Sequence, residues 1–350
     1  MERLRIGYAT YGSDFSRPAD RRRFCYYAAK RGLQIERADP SRSYDLVVVT
    51  EKSDLSVWAR YPRSRGKLVA DFANAYLAAP SEGLRGRLRG PAKFVTRQWR
   101  HLHLSHHELL VDLCRRADGI VCTTQEVREA ALPLCPNVHI ILDFHVELGG
   151  VRKVVYGVRD TAHLAWEGEG CNVRMLEAIG PALAAVAKRR ALALHVVTDL
   201  MYPMGLINVG LRPTKQLLDR VLPGVTTFLY QWNVAMAPHI LTACDMAIIP
   251  IEVGNPLWLG KCENKLILFW RLGIPVLTSE TPAYGRAMAG AGVEMTCRAP
   301  EEWQDKLQRY ICDEAARRDA AEWGRRYAEA QHGEAQLMAR WERVLESVLG

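Results

Sequence analysis

The sequence predicts an α/β protein with two doubly wound parallel sheets facing across a cleft, and three observations carry that expectation. The chain has 350 residues, enough for two domains that each bury a core. Its Val- and Ile-rich apolar runs are nearly continuous rather than alternating, as in strands buried on both faces. These runs alternate with helical stretches in two series of similar length.

In the first series, residues 4–10 (LRIGYAT) form a short apolar strand followed by a loop with Gly12, Ser13 and Asp14. A helix is expected over 18–32, with Pro18 at its first turn and Gly32 as its stop. Further strands are expected at 33–39, 44–50, 67–73, 118–124 and 137–144, with a long polar helix over 96–116. Residues 146–158, with three glycines, read as the linker.

The second series places strands at 163–168, 192–199, 225–232, 245–250 and 274–279. Helices are expected from Asn172 and over 214–221, 237–243 and 261–272. After Pro300 the chain reads as helix. Its last stretch puts Leu337, Trp341, Val344, Leu345 and Val348 on one face, which needs a partner surface. The expected division is a first domain at 1–150, a second at 159–325 and a terminal helix at 326–350.

Composition excludes several classes. No stretch approaches 18 apolar residues, so no membrane span is expected, and the N-terminal apolar run is too short for a signal peptide. The nine cysteines are odd in number and include no C-x-x-C pair, which argues against a disulfide framework or a zinc site and for free thiols in a reducing cytoplasm. The net charge of +8 is uneven: 83–107 holds Arg85, Arg87, Arg89, Lys93, Arg97 and Arg100 and no acid. Such a stretch suits phosphates or an anionic membrane surface, with a solvated basic face as the plain alternative. Only Phe94 and Trp99 lie among these cations, so nucleic acid is not expected.

In open parallel sheets ligands bind beyond the carboxyl ends of the strands, so the candidate residues are those that follow strands. Lys261, Asn264 and Lys265 follow the strand DMAIIP and are spaced to share the first turns of the expected helix. There, two ammonium groups and free N–H groups suit a diphosphate. The turn Glu167-Gly168-Glu169-Gly170-Cys171-Asn172 lets backbone approach a ligand, with Asn172 as helix cap; a plain β–α turn is the alternative. Thr281 and Tyr284 follow the strand 274–279 and suit phosphate or ribose. Trp232 suits stacking on a base or sugar, or core packing. Asp143 and His145 end the strand 137–144, where a histidine beside a carboxylate suits acid–base work. Gly12, Ser13 and Asp71 follow strands of the first series and are acceptor-side candidates. There is no D-x-D triplet, P-loop, H-E-x-x-H or G-x-S-x-G, so no metal is expected and basic groups must neutralise any diphosphate.

Residues 117–127 (ADGIVCTTQEV), 137–145 (NVHIILDFH) and 245–288, which contains GKCENK and GIPV, resemble the GT-B glycosyltransferases, in particular their family-4-like branch. The resemblance implies two Rossmann-like domains, a C-terminal donor domain and a terminal helix that crosses back to the N-terminal domain. It departs at one motif. The family carries two glutamates eight positions apart, which hold donor sugar and ribose. Here those positions are Gly260 and Leu268, with Glu263 or Glu252 as substitutes by proximity only.

The resemblance implies a glycosyltransferase; the missing D-x-D triplet and the cysteine usage lead to the expectation of a metal-independent, cytoplasmic enzyme without cofactor. It would take a nucleotide sugar as donor and a glycan or polyprenyl-linked acceptor, and act peripherally at the inner membrane face through 83–107. Lys261 would join His145 and Asp143 in catalysis, and Glu167, Gly168, Asn172, Trp232, Lys261, Glu263, Asn264, Lys265, Thr281 and Tyr284 would hold the donor. A nucleotide-sugar epimerase on the same fold and a non-catalytic, degenerate scaffold are the alternatives.

Overall fold

The computed structural model describes residues 4–10, 12, 14–15, 17–78, 91, 93–145, 150–203 and 210–350, with backbone only at 256 and 257. The chain divides into two compact units. The first is Met1–Phe144 with Gly260–Cys262 and Gly333–Gly350; the second is His145–Leu259 with Glu263–His332.

The first unit holds six parallel strands: β1 (Ile6–Ala9), β2 (Ile35–Arg37), β3 (Leu46–Thr50), β4 (Lys67–Asp71), β5 (Gly119–Cys122) and β6 (Val138–Ile140), in the order β2-β1-β3-β4-β5-β6. The apolar runs are continuous because both faces are covered. Val47, Val49, Leu68 and Ala70 pack under Leu109, Leu110 and Leu113 of the helix His106–Arg116. Leu46, Val48, Val69 and Val121 face Phe24, Tyr27 and the C-terminal helix Glu334–Leu349. That helix buries Leu337, Trp341, Val344 and Val348, and Trp341 meets Phe24 edge-on at 5.1 Å.

Two expected helices are corrected. The 18–32 stretch is two helices, Pro18–Arg21 and Phe24–Lys30, because Arg23 leaves helical geometry (φ −125°, ψ −121°) and its side chain turns into the core. The 96–116 helix starts only at His106, where Ser105 Oγ accepts the Glu108 N–H (3.2 Å), the start of a capping box.

The second unit holds β7 (Ala162–Glu167), β8 (Leu192–Thr198), β11 (Thr226–Gln231), β12 (Met246–Ile249), β13 (Val276–Ser279) and β14 (Thr296–Cys297), all parallel, in the order β11-β8-β7-β12-β13-β14. The order reverses between β7 and β12, the switch point where a doubly wound sheet opens a crevice. An antiparallel hairpin, β9 (Met201–Pro203) with β10 (Leu211–Pro213), follows β8 and was not expected from the sequence.

The helix read at 261–272 is Asn264–Arg271, and it buries Leu266 to Trp270 without a break. It lies between the sheet and the long helix Glu314–His332, so every side of it meets protein. Gly273 ends it at φ +72°, with the Ile274 N–H returning to Phe269 O (3.0 Å), a conformation an L side chain resists. Among the described residues no helix is long and apolar enough to cross a membrane. Buried Cys114, Cys122, Cys244 and Cys297 have thiols pushed up to about 12 by burial, which keeps them inert.

Candidate functional site

In the second unit the candidates converge on the carboxyl ends flanking the β7/β12 switch point. Glu167 closes β7 and Gly168 follows it. Lys265, the second residue of its helix, reaches back so that Nζ donates to Glu167 O (2.5 Å), with the Glu167 carboxylate 3.8 Å away and the Trp166 ring centroid at 5.1 Å. Glycine at 168 is what lets this happen: a Cβ there would stand 2.3 Å from Lys265 Nζ and 2.9 Å from Trp166. The Lys265 side chain, 22% exposed, is therefore held against the β7 end beside the crevice.

The ends of β12 and β13 complete the site. Ser279 Oγ accepts the Ile251 N–H (2.9 Å), and Thr278 Oγ1 donates to Ile249 O (3.0 Å), which pins the two strand ends together. Thr281 caps the ten-residue helix Pro282–Ala291. Its hydroxyl is buried, has no hydrogen-bond partner among the described residues and makes no side-chain cap bond. Thr198, at the end of β8, likewise has a buried hydroxyl without a partner among the described residues. Both lie at carboxyl ends of the same sheet, where a polar ligand could satisfy them.

Other second-unit candidates sit differently from expectation. Lys261 is corrected: it precedes the helix by three residues and belongs to the first unit, so it shares no helical face with Asn264 and Lys265. Asn172 is not a cap. It lies inside a 3-10 segment, Gly170–Ile179, with its amide 3.5 Å from Glu169. Glu169 takes the N-cap position of that segment, and Glu263 that of the helix Asn264–Arg271, neither with a side-chain cap bond. Tyr284 is fully buried, so its ring faces protein; Trp232 is half-buried at the end of β11.

In the first unit, Asp71 and Asp143 are both engaged by Arg23, which corrects their expected roles. Arg23 Nη2 lies 2.5 Å from Asp71 Oδ1, and Nη1 lies 3.3 Å from Asp143 Oδ1 and 2.7 Å from Ile141 O. Burial alone would lower the Arg23 pKa; the two carboxylates raise it instead. Burial pushes the Asp143 carboxyl up, against the pull of Arg23. Asp71 thus anchors a core network rather than an acceptor, and Asp143 serves Arg23 in the first unit, whereas His145, also buried, belongs to the second. Gly12 stands in the loop after β1, where a Cβ would meet Asp14 at 3.8 Å and Arg17 and Asp20 at 3.9 Å, ordinary contact distances. Ser13 lies outside the described residues.

Three residues with no expected role emerge here. Arg23 gave no signal, since a helical arginine usually faces water. Asp20 is buried and accepts from Tyr8 OH (2.9 Å), and burial raises its pKa. Glu51 follows β3, accepts the Asn74 N–H (3.2 Å) and the Asn74 amide, and has a pKa raised by burial. A carboxylate straight after the run VVVT was the one clue to it. Buried carboxyls shifted upward in this way are candidates for proton transfer.

One further feature lies on the face of the second sheet. Tyr230 OH, the His195 ring and the His163 ring form a chain with 2.9 Å links, lining a cavity of about 460 Å³. Among the described residues no group of three or more His, Cys, Asp or Glu is placed to hold a metal ion.

No family model and no curated protein sequence matches the chain. Solved structures do match in fold. S. aureus TarM, in a complex with fondaparinux, alpha-GlcNAc-glycerol and UDP, aligns with a TM-score of 0.59 and 9% identity over 85% of this chain. This chain spans 55% of the length of that protein. HepE from Anabaena, in complex with UDP and glucose, aligns with a TM-score of 0.59 and 14% identity, over 87% of this chain and 78% of its own. Sucrose-phosphate synthase from Thermosynechococcus elongatus aligns with a TM-score of 0.57 and 12% identity, over 92% and 75%. At these identities the likeness shows the fold: two parallel six-stranded sheets with flanking helices, the architecture of the GT-B glycosyltransferases.

Proposed function

We propose that this chain is a glycosyltransferase that takes a nucleotide sugar as donor and needs no metal or cofactor. The observation that carries the reading is Lys265, fixed over Gly168 at the β7/β12 switch point of a fold shared with structures that hold UDP and UDP-glucose. A cation held there by a backbone carbonyl is preorganised for the charge that grows on a departing diphosphate. The buried hydroxyls of Thr198 and Thr281 supply further contacts for the donor. Glu51 and Asp20, with raised pKa values, are the carboxyls best suited to take a proton from an acceptor hydroxyl.

The acceptor is a glycan or a polyprenyl-linked saccharide, reached at the cytoplasmic face of a membrane. Supporting this, Val95 (78% exposed), Leu102 (53%) and Leu104 (65%) present apolar side chains among Lys93, Arg97 and Arg100. Cations mixed with exposed apolar groups suit an anionic lipid surface. Arg85, Arg87 and Arg89 lie outside the described residues.

One observation favours a second reading, a nucleotide-binding scaffold without turnover. Where the family carries glutamates, a Cβ on Gly260 would stand 2.7 Å from Ala75, and Leu268 is buried in the core. Neither position has room for a sugar-holding carboxylate. Thermal melts against UDP, other nucleoside diphosphates and their sugars, with and without EDTA, test both. Ligand at 100 times Kd should stabilise by about 2.7 kcal/mol. Stabilisation in EDTA together with sugar transfer supports the enzyme, and stabilisation without transfer supports the scaffold. Indifference to every nucleotide rejects both.

A further inference from the structure

The two six-stranded sheets present four edges, and three of them are guarded. β2 has three residues and carries Glu36 and Arg37. β6 has three residues and packs against the C-terminal helix, whose Ser347 lies 3.3 Å from His139 and 3.1 Å from Asn137. β14 has two residues. The fourth edge, β11, runs six residues, TTFLYQ, with no charge, proline or glycine and with β-formers at Thr226, Thr227, Phe228 and Tyr230. Folded proteins blunt such edges unless another chain pairs with them.

The register fixes which backbone groups of β11 face outward. Trp232 N–H donates to Thr198 O (2.9 Å), continuing the pairing of Thr226 with Ala193 through Gln231 with Thr198. Alternate residues of a parallel strand bond to opposite sides, so Phe228 and Tyr230 bond toward β8. Thr227, Leu229 and Gln231 turn their N–H and C=O groups to the open side. On one face Phe228 stays 46% exposed, although its ring stacks on His195 at 5.1 Å. Just past the strand, Val234 and Met236 are 38% and 55% exposed.

We infer that β11 pairs antiparallel with β11 of a second copy of this chain, about a two-fold axis at Leu229. The strand's own pattern selects that partner. Residues 227–231 read polar, aromatic, leucine, aromatic, polar, so the segment is its own complement when reversed. A two-fold axis at Leu229 sets Leu229 opposite itself, Thr227 opposite Gln231 through outward backbone groups, and Phe228 opposite Tyr230. The last two fall at non-hydrogen-bonded positions, where side chains come closest and aromatic pairs gain most. An isologous contact needs this self-complementarity. The absence of charge matters too, because each copy carries +8.

Sedimentation equilibrium of the full chain from about 1 to 100 µM tests this, together with hydrogen exchange of the outward amides. The expected result is a mass rising to twice 39.5 kDa, with protection of the Thr227, Leu229 and Gln231 amides growing with concentration. Phe228→Lys, which sets a charge opposite Tyr230, should weaken the dimer at least about 10-fold, and Phe228→Tyr should keep it. Thr227→Pro removes only an outward N–H, so it should give a folded monomer with unchanged circular dichroism. A wild-type chain that stays at 39.5 kDa throughout overturns the inference. So does a dimer that ignores both disruptive substitutions, or protection already complete while the mass is still 39.5 kDa, since the chain's own residues would then cover the edge.

Discussion

Arg23 and Asp71 form an ion pair sealed from water: Nη2 and Nε both reach the carboxylate, at 2.5 and 3.0 Å from Oδ1, with side chains 1% and 2% exposed. The pair ties the start of the helix Phe24–Lys30 to the end of β4, and it is why the chain breaks its helix at Arg23. Removing one partner strands the other. Asp71→Ala should cost about 3–5 kcal/mol, measured as the free energy of urea unfolding. Replacing both with apolar residues of similar volume should cost much less, since no uncompensated charge remains. If Asp71→Ala melted like the wild type, the pair would have no part in holding these elements together.

Glu322 gives the clearest acid sensitivity. It accepts from Arg325 (2.9 Å), Arg326 (3.0 Å) and Arg152 (2.8 Å), and these bonds, Arg325 foremost, hold its carboxyl at about 2. A folded-state value below the ordinary 4.5 means the contribution is whole above 4.5 and is lost as pH falls through about 2. Glu322→Gln should therefore lower stability at pH 6 and flatten the decline between those two values. The group is partly exposed, so added salt should shrink the difference. Parallel stability curves for the two proteins across that window would contradict the assignment.

The two sheets were legible because continuous apolar runs mark strands covered on both faces, as Leu46 to Val49 show with every side chain buried. The terminal helix was legible for the converse reason: a single apolar stripe from Leu337 through Trp341 and Val344 to Val348 needs a surface. Helix starts were read less well. Lys261 and Lys265 have helical spacing, but the helix waits until Asn264, so the spacing describes two elements rather than one face. In the sequence Asp71 and Asp143 look available, because a carboxylate at a strand end is often a ligand contact. Only the fold reveals that Arg23 crosses from a helix to meet both.

The stretch around Arg97 and Arg100 offers a test of the membrane reading. Wild-type chain should sediment with vesicles containing anionic lipid, and binding should fall as salt rises. Leu102→Ser with Leu104→Ser removes exposed apolar area and should weaken that binding without lowering Tm, because both side chains are more than half exposed. Binding that ignores both salt and these substitutions would assign the stretch to ordinary solvated surface.

Lys265 and Leu268 share a helix and separate function from folding. Leu268 is 4% exposed, so Leu268→Ala opens a cavity and should cost about 2–5 kcal/mol of stability. Lys265→Ala leaves Glu167 O without its donor, which costs about 1–3 kcal/mol at most for a partly solvated carbonyl. The larger effect should fall on chemistry. If Lys265 neutralises the departing diphosphate, its loss should lower kcat/KM by about 10²-fold, or about 2.7 kcal/mol of transition-state stabilisation. The two effects are read independently by melting each variant and by measuring turnover per folded molecule with the nucleotide sugar that gives the largest thermal shift. Lys265→Ala should retain most of its Tm and lose turnover, whereas Leu268→Ala should lose Tm and retain turnover in its folded fraction. The reverse pattern, normal turnover from a Lys265→Ala chain that melts early, would make Lys265 a fastener of β7 to its helix and move the donor site elsewhere.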